Sequence, residues 1–358
     1  MKNLNIDKLL KNNYVGYKVN VPDLPIKLSR NENPYDVPKE IKEEIIEELL
    51  KTPWNRYPDG QSLRLRIKLA DFLGFSADNI LVGTGSGELI QVIINGFIEE
   101  GDKVILPVPT FPLYEKILQQ KKVEIIKILL NKEDFSLDFD MLRDYFKYNP
   151  KLLILTNPNN PTGNFLIKSD DFEKIQDFPG IILIDEAYYE FSGLTFLPYI
   201  ENFPNIIILR TFSKAFSGAG IRLGYLISNP KIVNYLNNFK LPYNVNIFTQ
   251  IAGEKLIDKW PLLKEKIEVI KEERDRIFEE MKNIKDIVPY PSEANFILFR
   301  SRKREEILKS CEEEGVALRD FSKEPLLENC LRVSIGDIKE NDVFIKILKE
   351  VCYEKGGD

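Results

Sequence analysis

At 358 residues, with 43% hydrophobic and 30% charged side chains, the chain can bury a substantial core and fits two domains, or one large α/β domain with a smaller companion. A net charge of -6 gives no general attraction for nucleic acid or an anionic membrane, so any phosphate must be held by local design. The absence of histidine excludes Ser-His and Cys-His nucleophile pairs and histidine-ligated metals, leaving lysine, tyrosine, carboxylates or a cofactor to move protons.

Residues 1–18 are polar and lysine-rich, and no later segment approaches the ~20 apolar residues of a membrane span, so neither signal nor anchor is expected. Residues 38–51 set Ile41, Ile45, Ile46, Leu49 and Leu50 on one face of a predicted helix. Apolar runs at 80–82, 104–108, 152–155, 181–184, 206–209 and 223–227 then alternate with amphipathic stretches such as 88–99. That order predicts an α/β fold whose mainly parallel sheet is covered on both faces. After residue 246 come long charged helices, as at 262–284, and short strands at 295–299, 316–318 and 331–333. The expected division is an N-terminal segment (1–50) joining a small α+β domain (249–358), with a large domain (51–248) between. Cys311, Cys330 and Cys352 have no paired spacing, which fits neither a disulfide framework nor a thiolate metal site and suits a reducing cytoplasm.

Polar motifs follow four of the strands. Gly83-Thr84-Gly85-Ser86-Gly87-Glu88 opens the helix at 88–99, so its backbone N–H groups and the helix dipole form an anion site. Glu88 stands where a dinucleotide fingerprint needs glycine. Asn157-Pro-Asn-Asn160-Pro-Thr-Gly163 follows the run at 152–155, and its X-Pro steps present Asn160 as a fixed amide donor. Asp185, in Asp185-Glu186-Ala187-Tyr188, ends the next strand and needs a partner, for which a pyridinium nitrogen, a magnesium ion or a helix cap would each serve. Lys214 follows the run at 206–209 in Arg210-Thr-Phe-Ser-Lys214-Ala-Phe-Ser-Gly, aimed at the crevice beyond the carboxyl ends of the strands. Arg222 can add a bidentate charge to the anion site.

The ordered set Gly-Thr-Gly-Ser-Gly-Glu, Pro-Thr-Phe111, Asn-Pro-Asn-Asn-Pro-Thr-Gly, Asp-Glu-Ala-Tyr, Thr-Phe-Ser-Lys-Ala-Phe and Gly-Ile-Arg-Leu-Gly resembles the fold-type-I pyridoxal-phosphate enzymes over nearly the whole chain. Among them it is most similar to the histidinol-phosphate aminotransferase family, through Ser29-Arg-Asn31-Glu-Asn33-Pro-Tyr35, Pro291-Ser-Glu-Ala-Asn295-Phe, Leu318-Arg319-Asp320 and Leu331-Arg332-Val-Ser-Ile-Gly336. The resemblance implies a large domain with a mainly parallel seven-stranded sheet and pyridoxal 5'-phosphate joined covalently to Lys214. It further implies Asp185 at the ring nitrogen, Asn160 and Tyr188 at the ring hydroxyl, and Phe111 stacked on the ring. The cofactor phosphate falls to Ser86, Gly87, Ser213 and Arg222, with Tyr57 reaching in from the second subunit of a homodimer. Gly87 stands where relatives often have aspartate.

The implied substrates are histidinol phosphate and 2-oxoglutarate or glutamate, with Arg332 and Arg319 taking their anionic groups, Tyr14 and Asn33 assisting, and Tyr243 and Asn244 on the imidazole side. No metal, nucleic acid or membrane partner is expected. An aromatic or aspartate aminotransferase, or threonine-phosphate decarboxylase, is the alternative within the fold. A chain without histidine suits a histidine pathway, since its synthesis does not draw on the product.

Overall fold

The computed structural model describes Gly16 and residues 21–353; Tyr14 lies outside the described residues. Its strands are β1 (Ile26–Lys27), β2 (Ile80–Gly83), β3 (Lys103–Val108), β4 (Glu124–Leu129), β5 (Leu152–Thr156), β6 (Ile181–Asp185), β7 (Ile206–Thr211), β8 (Gly224–Ser228), β9 (Ile287–Pro289), β10 (Phe296–Ser301), β11 (Val316–Ala317), β12 (Arg319–Asp320) and β13 (Cys330–Ser334). Seven form one sheet in the order β2-β8-β7-β6-β5-β3-β4. Only β8 runs antiparallel to its neighbours, β2 and β7. Every residue of β5, β7 and β8 is buried, as unbroken β-branched runs demand when both faces are covered.

The sequence reading did not anticipate β4. Its exposure alternates, and Lys127 pairs with Glu115 at 2.7 Å. Half-burial with charges interspersed is what an edge strand tolerates, and it weakens the apolar signal.

A second, antiparallel sheet runs β12-β13-β10-β9, and β1 pairs in parallel with β11. The single strand expected at 316–318 is thus two, broken at Leu318: Val316–Ala317 pairs with β1, and Arg319–Asp320 with β13. The break lets consecutive residues satisfy two different strand edges. Behind this sheet lie the helices Trp260–Lys282 and Ile338–Tyr353, whose Ile267, Ile270, Ile277, Phe344 and Leu348 are buried.

Helix α1 (Lys39–Lys51) buries Ile41 and Leu49 but leaves Ile46 and Leu50 exposed, so its apolar face is wider than the surface it covers within this chain. Helix α2 (Leu63–Leu73) buries Leu65 and Leu69, and α3 (Ser86–Phe97) buries Leu89, Ile90 and Ile93. Helix α4 is Leu113–Gln120.

The turn into α3 lies directly against the start of β8. A Cβ added at Gly224 would stand 2.4 Å from the Ser86 backbone nitrogen, so only glycine allows this approach. Gly224→Ala is expected to cost about 1–3 kcal/mol through overpacking. At Gly220 an added Cβ has nothing within 4 Å, and Gly220→Ala should stay within roughly 0.5 kcal/mol of the unsubstituted protein. Thermal unfolding of the two variants checks this; equal melting temperatures would refute the close-approach argument.

Candidate active site

Strands β5, β6 and β7 are adjacent and parallel, with Thr156 opposite Asp185 and Asp185 opposite Leu209. Their carboxyl ends therefore open on one crevice, and the segments that follow deliver Asn160, Tyr188 and Lys214 into it. The crevice is a cavity of about 350 Å³, also lined by Ser86, Gly87, Phe111, Ser213 and Arg222.

Lys214 Nζ donates to the Arg30 carbonyl at 2.8 Å and lies 5.9 Å from the centre of the Tyr188 ring. Burial, reinforced by the positive charge of Arg332, lowers its pKa to about 7. A lysine so placed is a neutral nucleophile over much of the working pH range. The Asp185 carboxylate accepts from the Tyr114 hydroxyl at 2.6 Å and from the Ala187 N–H at 3.0 Å. Burial nevertheless pushes its pKa up to about 6, so this acid gains from a cationic partner in the cavity.

Glu186 takes no part in that crevice. Successive residues at a strand end point to opposite sides, and Glu186 binds the buried Arg210 through Nε at 3.0 Å and Nη2 at 2.8 Å. Such a side chain cannot join Asp185 around one magnesium ion. The three asparagines of the loop divide similarly. Asn157 accepts from the Leu166 N–H at 2.8 Å, and Asn159 donates to the Pro109 carbonyl at 2.9 Å, so both pin the loop. Asn160 Oδ1 accepts from Arg332 Nη1, which leaves its amide N–H groups as donors at the cavity.

An anion cradle forms another part of the lining. Gly85 caps α3 with φ 77°, and Arg222 lies over this turn, 2.5 Å from where a Gly85 Cβ would be. Arg222 Nη1 donates to Ser213 Oγ at 3.2 Å and to the Ala219 carbonyl at 3.1 Å. Backbone N–H groups at a helix start, a hydroxyl and a guanidinium are a donor set for a phosphate. At Gly87 an added Cβ would meet only Leu113 Cδ2, at 3.8 Å, so crowding does not impose glycine there. Together with the buried acid and the low-pKa lysine, the cradle fits a phosphorylated pyridinium ring.

Arg319 and Arg332 face each other across β12 and β13 and both line the cavity. Their guanidinium carbons lie 5.8 and 5.1 Å from the centre of the Phe321 ring. Arg332 also donates to the Ser29 carbonyl at 2.8 Å.

Several expected positions differ. Asn33 is not in the cavity lining; its amide donates to the Ala215 carbonyl at 3.2 Å and its Oδ1 accepts from the Tyr35 N–H at 3.0 Å. Asn31, two residues earlier, lines the cavity instead and donates to the Tyr188 hydroxyl at 2.9 Å. Residues two apart share a face of an extended segment, but Asn31 takes φ 54°, which breaks the alternation and turns the two asparagines apart. Tyr243 stacks on Tyr57 with ring centres 4.5 Å apart, and Asn244 donates to Glu88 at 2.9 Å. Neither lines the cavity of its own chain. Tyr57 is 82% exposed and likewise lies outside it. Sequence reasoning also missed Arg30, Asn31, Tyr114 and Phe321. Arg30 and Asn31 had a signal, inside the motif 29–35.

A profile of the aminotransferase class I and II family matches residues 24–348. The chain is 35% identical to a histidinol-phosphate aminotransferase of Ruminiclostridium cellulolyticum, over 98% of this chain and 100% of that one. It is 40% identical to a histidinol-phosphate aminotransferase of Pyrococcus furiosus, over 96% and 97%. The crystal structure of the histidinol-phosphate aminotransferase from Clostridium acetobutylicum superposes with a TM-score of 0.84 at 28% identity, covering 92% of this chain and 99% of that one.

Cofactor-free protein provides the test of the Lys214 environment. Because its folded pKa of about 7 is below that of a free lysine, the folded state binds fewer protons than the unfolded one between pH 7 and pH 10. The contribution of Lys214 to stability therefore rises with pH across that window and is at its least below pH 7. Reductive methylation of this lysine should reach half its limiting rate near pH 7 and not near pH 10. Arg332→Gln should move the midpoint upward, whereas a midpoint near 10 in the unsubstituted protein would overturn the assignment.

Proposed function

The chain belongs to the aminotransferase class I and II family, and on that premise we propose that it transfers the amino group of L-histidinol phosphate to 2-oxoglutarate, giving imidazole acetol phosphate and glutamate in histidine biosynthesis. Its cofactor is pyridoxal 5'-phosphate and its fold is fold-type-I. When bound, the cofactor supplies an electron sink for the pair left when a proton leaves the substrate Cα.

The side chains divide the remaining work. Ser86 and Gly87 backbone N–H groups, Ser213 and Arg222 would hold the cofactor phosphate. Phe111 would stack on the ring, and Asn160 and Tyr188 would bind its hydroxyl. Asp185 would accept the ring N–H and keep that nitrogen charged. As a neutral amine, Lys214 would take the proton from the substrate Cα and deliver it to the cofactor's aldehyde carbon, acting first as base and then as acid.

The observation that carries the substrate reading is the Arg319 and Arg332 pair, which lines the same cavity as the cradle. Like charges directly opposite on a sheet are unfavourable until an anion joins them, and a second phosphate or a glutamate carboxylate is such an anion. Relatives at 35% and 40% identity carry the matching activity in their names. They do not favour an aromatic or aspartate aminotransferase or threonine-phosphate decarboxylase.

The same proposal includes a homodimer, with Tyr57 completing the partner's phosphate cradle. The exposure of Ile46, Leu50, Trp54 and Tyr57 supports it. It places the enzyme in the cytoplasm, consistent with three free, buried cysteines. It also keeps residues 1–50, 51–248 and 249–358 as structural divisions; the seven-stranded sheet draws on residues 80–228 and the four-stranded one on 287–334.

Following the visible band of the bound cofactor should show it lost preferentially with histidinol phosphate over aspartate and tyrosine. A better response to either amino acid would replace the substrate, and carbon dioxide release from threonine phosphate would replace the reaction. Arg319→Gln should raise KM for histidinol phosphate about tenfold with kcat little changed, as expected for one charge-assisted contact. Lys214→Ala should abolish turnover.

A further inference from the structure

Tyr114 is fully buried in helix α4, three residues after Phe111, and the two rings meet edge to face at 6.1 Å. Its ring packs among Leu89, Ile93 and Leu118 in the core on one side of the large sheet. Phenylalanine would fill that space equally well. A buried hydroxyl is tolerated only with a partner, and the partner is Asp185 Oδ2, at 2.6 Å.

We propose that Tyr114 is a positioning residue for the reaction, its hydroxyl holding the Asp185 carboxylate ionised and fixed in plane toward the cofactor ring. This rests on the cofactor reading above. The geometry explains the choice of donor. Asp185 Oδ1 is taken by the Ala187 N–H at 3.0 Å, so the two oxygens are held from different elements and the carboxylate cannot rotate. The phenol can only donate to an ionised acid. Burial and the adjacent carboxylate raise its own pKa well above the usual value, so it does not lose its proton in the working range.

The other charges facing Asp185 do less to set its state. Glu186, next in sequence, is turned to Arg210 and raises the Asp185 pKa, while Lys214, from the loop after β7, lowers it. Thr156, opposite Asp185 on β5, carries no charge. Of these influences, the Tyr114 hydrogen bond does most to offset burial.

The test compares Tyr114→Phe with the unsubstituted holoenzyme. A less firmly ionised Asp185 leaves the ring nitrogen less positive, which favours protonation elsewhere on the bound cofactor. The pH midpoint of the visible band should therefore rise by about half a unit or more, and the bound cofactor should dissociate several-fold faster. The kcat should fall about tenfold with KM for the amino donor nearly unchanged, the scale of one charge-assisted hydrogen bond. Fluorinated tyrosine at position 114, a stronger donor of nearly the same shape, should move the midpoint the other way. It keeps the proposal open to refutation even if Tyr114→Phe folds poorly. An unchanged midpoint and dissociation rate in both variants would overturn the positioning role. If the unsubstituted protein developed no visible band with added pyridoxal phosphate, the cofactor reading itself would fail.

Discussion

Everything at this site depends on the register of three parallel strands. Because β5, β6 and β7 are neighbours that run the same way, whatever follows each of them emerges at one edge of the sheet. Asn160, Asp185 and Lys214 are far apart in sequence yet reach one cavity for that reason alone. A slip of one residue in β6 would exchange Asp185 with Glu186 and turn the acid toward Arg210.

The electrostatics follow from burying these groups together. A carboxylic acid raised to about 6 and a lysine lowered to about 7 are each displaced toward neutrality by desolvation, and each gains when a ligand brings the missing charge. The protein has thus balanced the site for an occupant that presents a cation to Asp185 and an anion to Arg222. The buried Arg210 to Glu186 pair behind it needs no occupant, because its charges already meet. Removing one member of such a pair costs far more than the pair contributes.

The N-terminal strap ties the second sheet to this edge. Asn31 donates to Tyr188, its backbone N–H donates to Ser334 Oγ at 2.8 Å, and its carbonyl accepts from Asn295 at 3.1 Å. Arg332 crosses in the same place, from β13 to Ser29 and Asn160. The anion-binding wall and the lysine wall are therefore joined by hydrogen bonds and do not merely face each other. The spacing between them is set by the fold.

The sequence by itself determined a great deal. Long β-branched runs can only be strands covered on both faces, and polar motifs directly after them can only sit at strand ends, so the α/β class and the positions of Asp185, Asn160, Lys214 and Arg222 were legible locally. Edge strand β4, with its mixed pattern, was not, and neither was the break at Leu318. Only the tertiary structure decided that Asn31 and not Asn33 faces the cavity, through the positive φ at Asn31. Only it brought Tyr114 from the core to Asp185 and Phe321 to the two arginines. Those choices depend on a local break in the backbone and on contacts between distant elements, for which a local pattern carries no information.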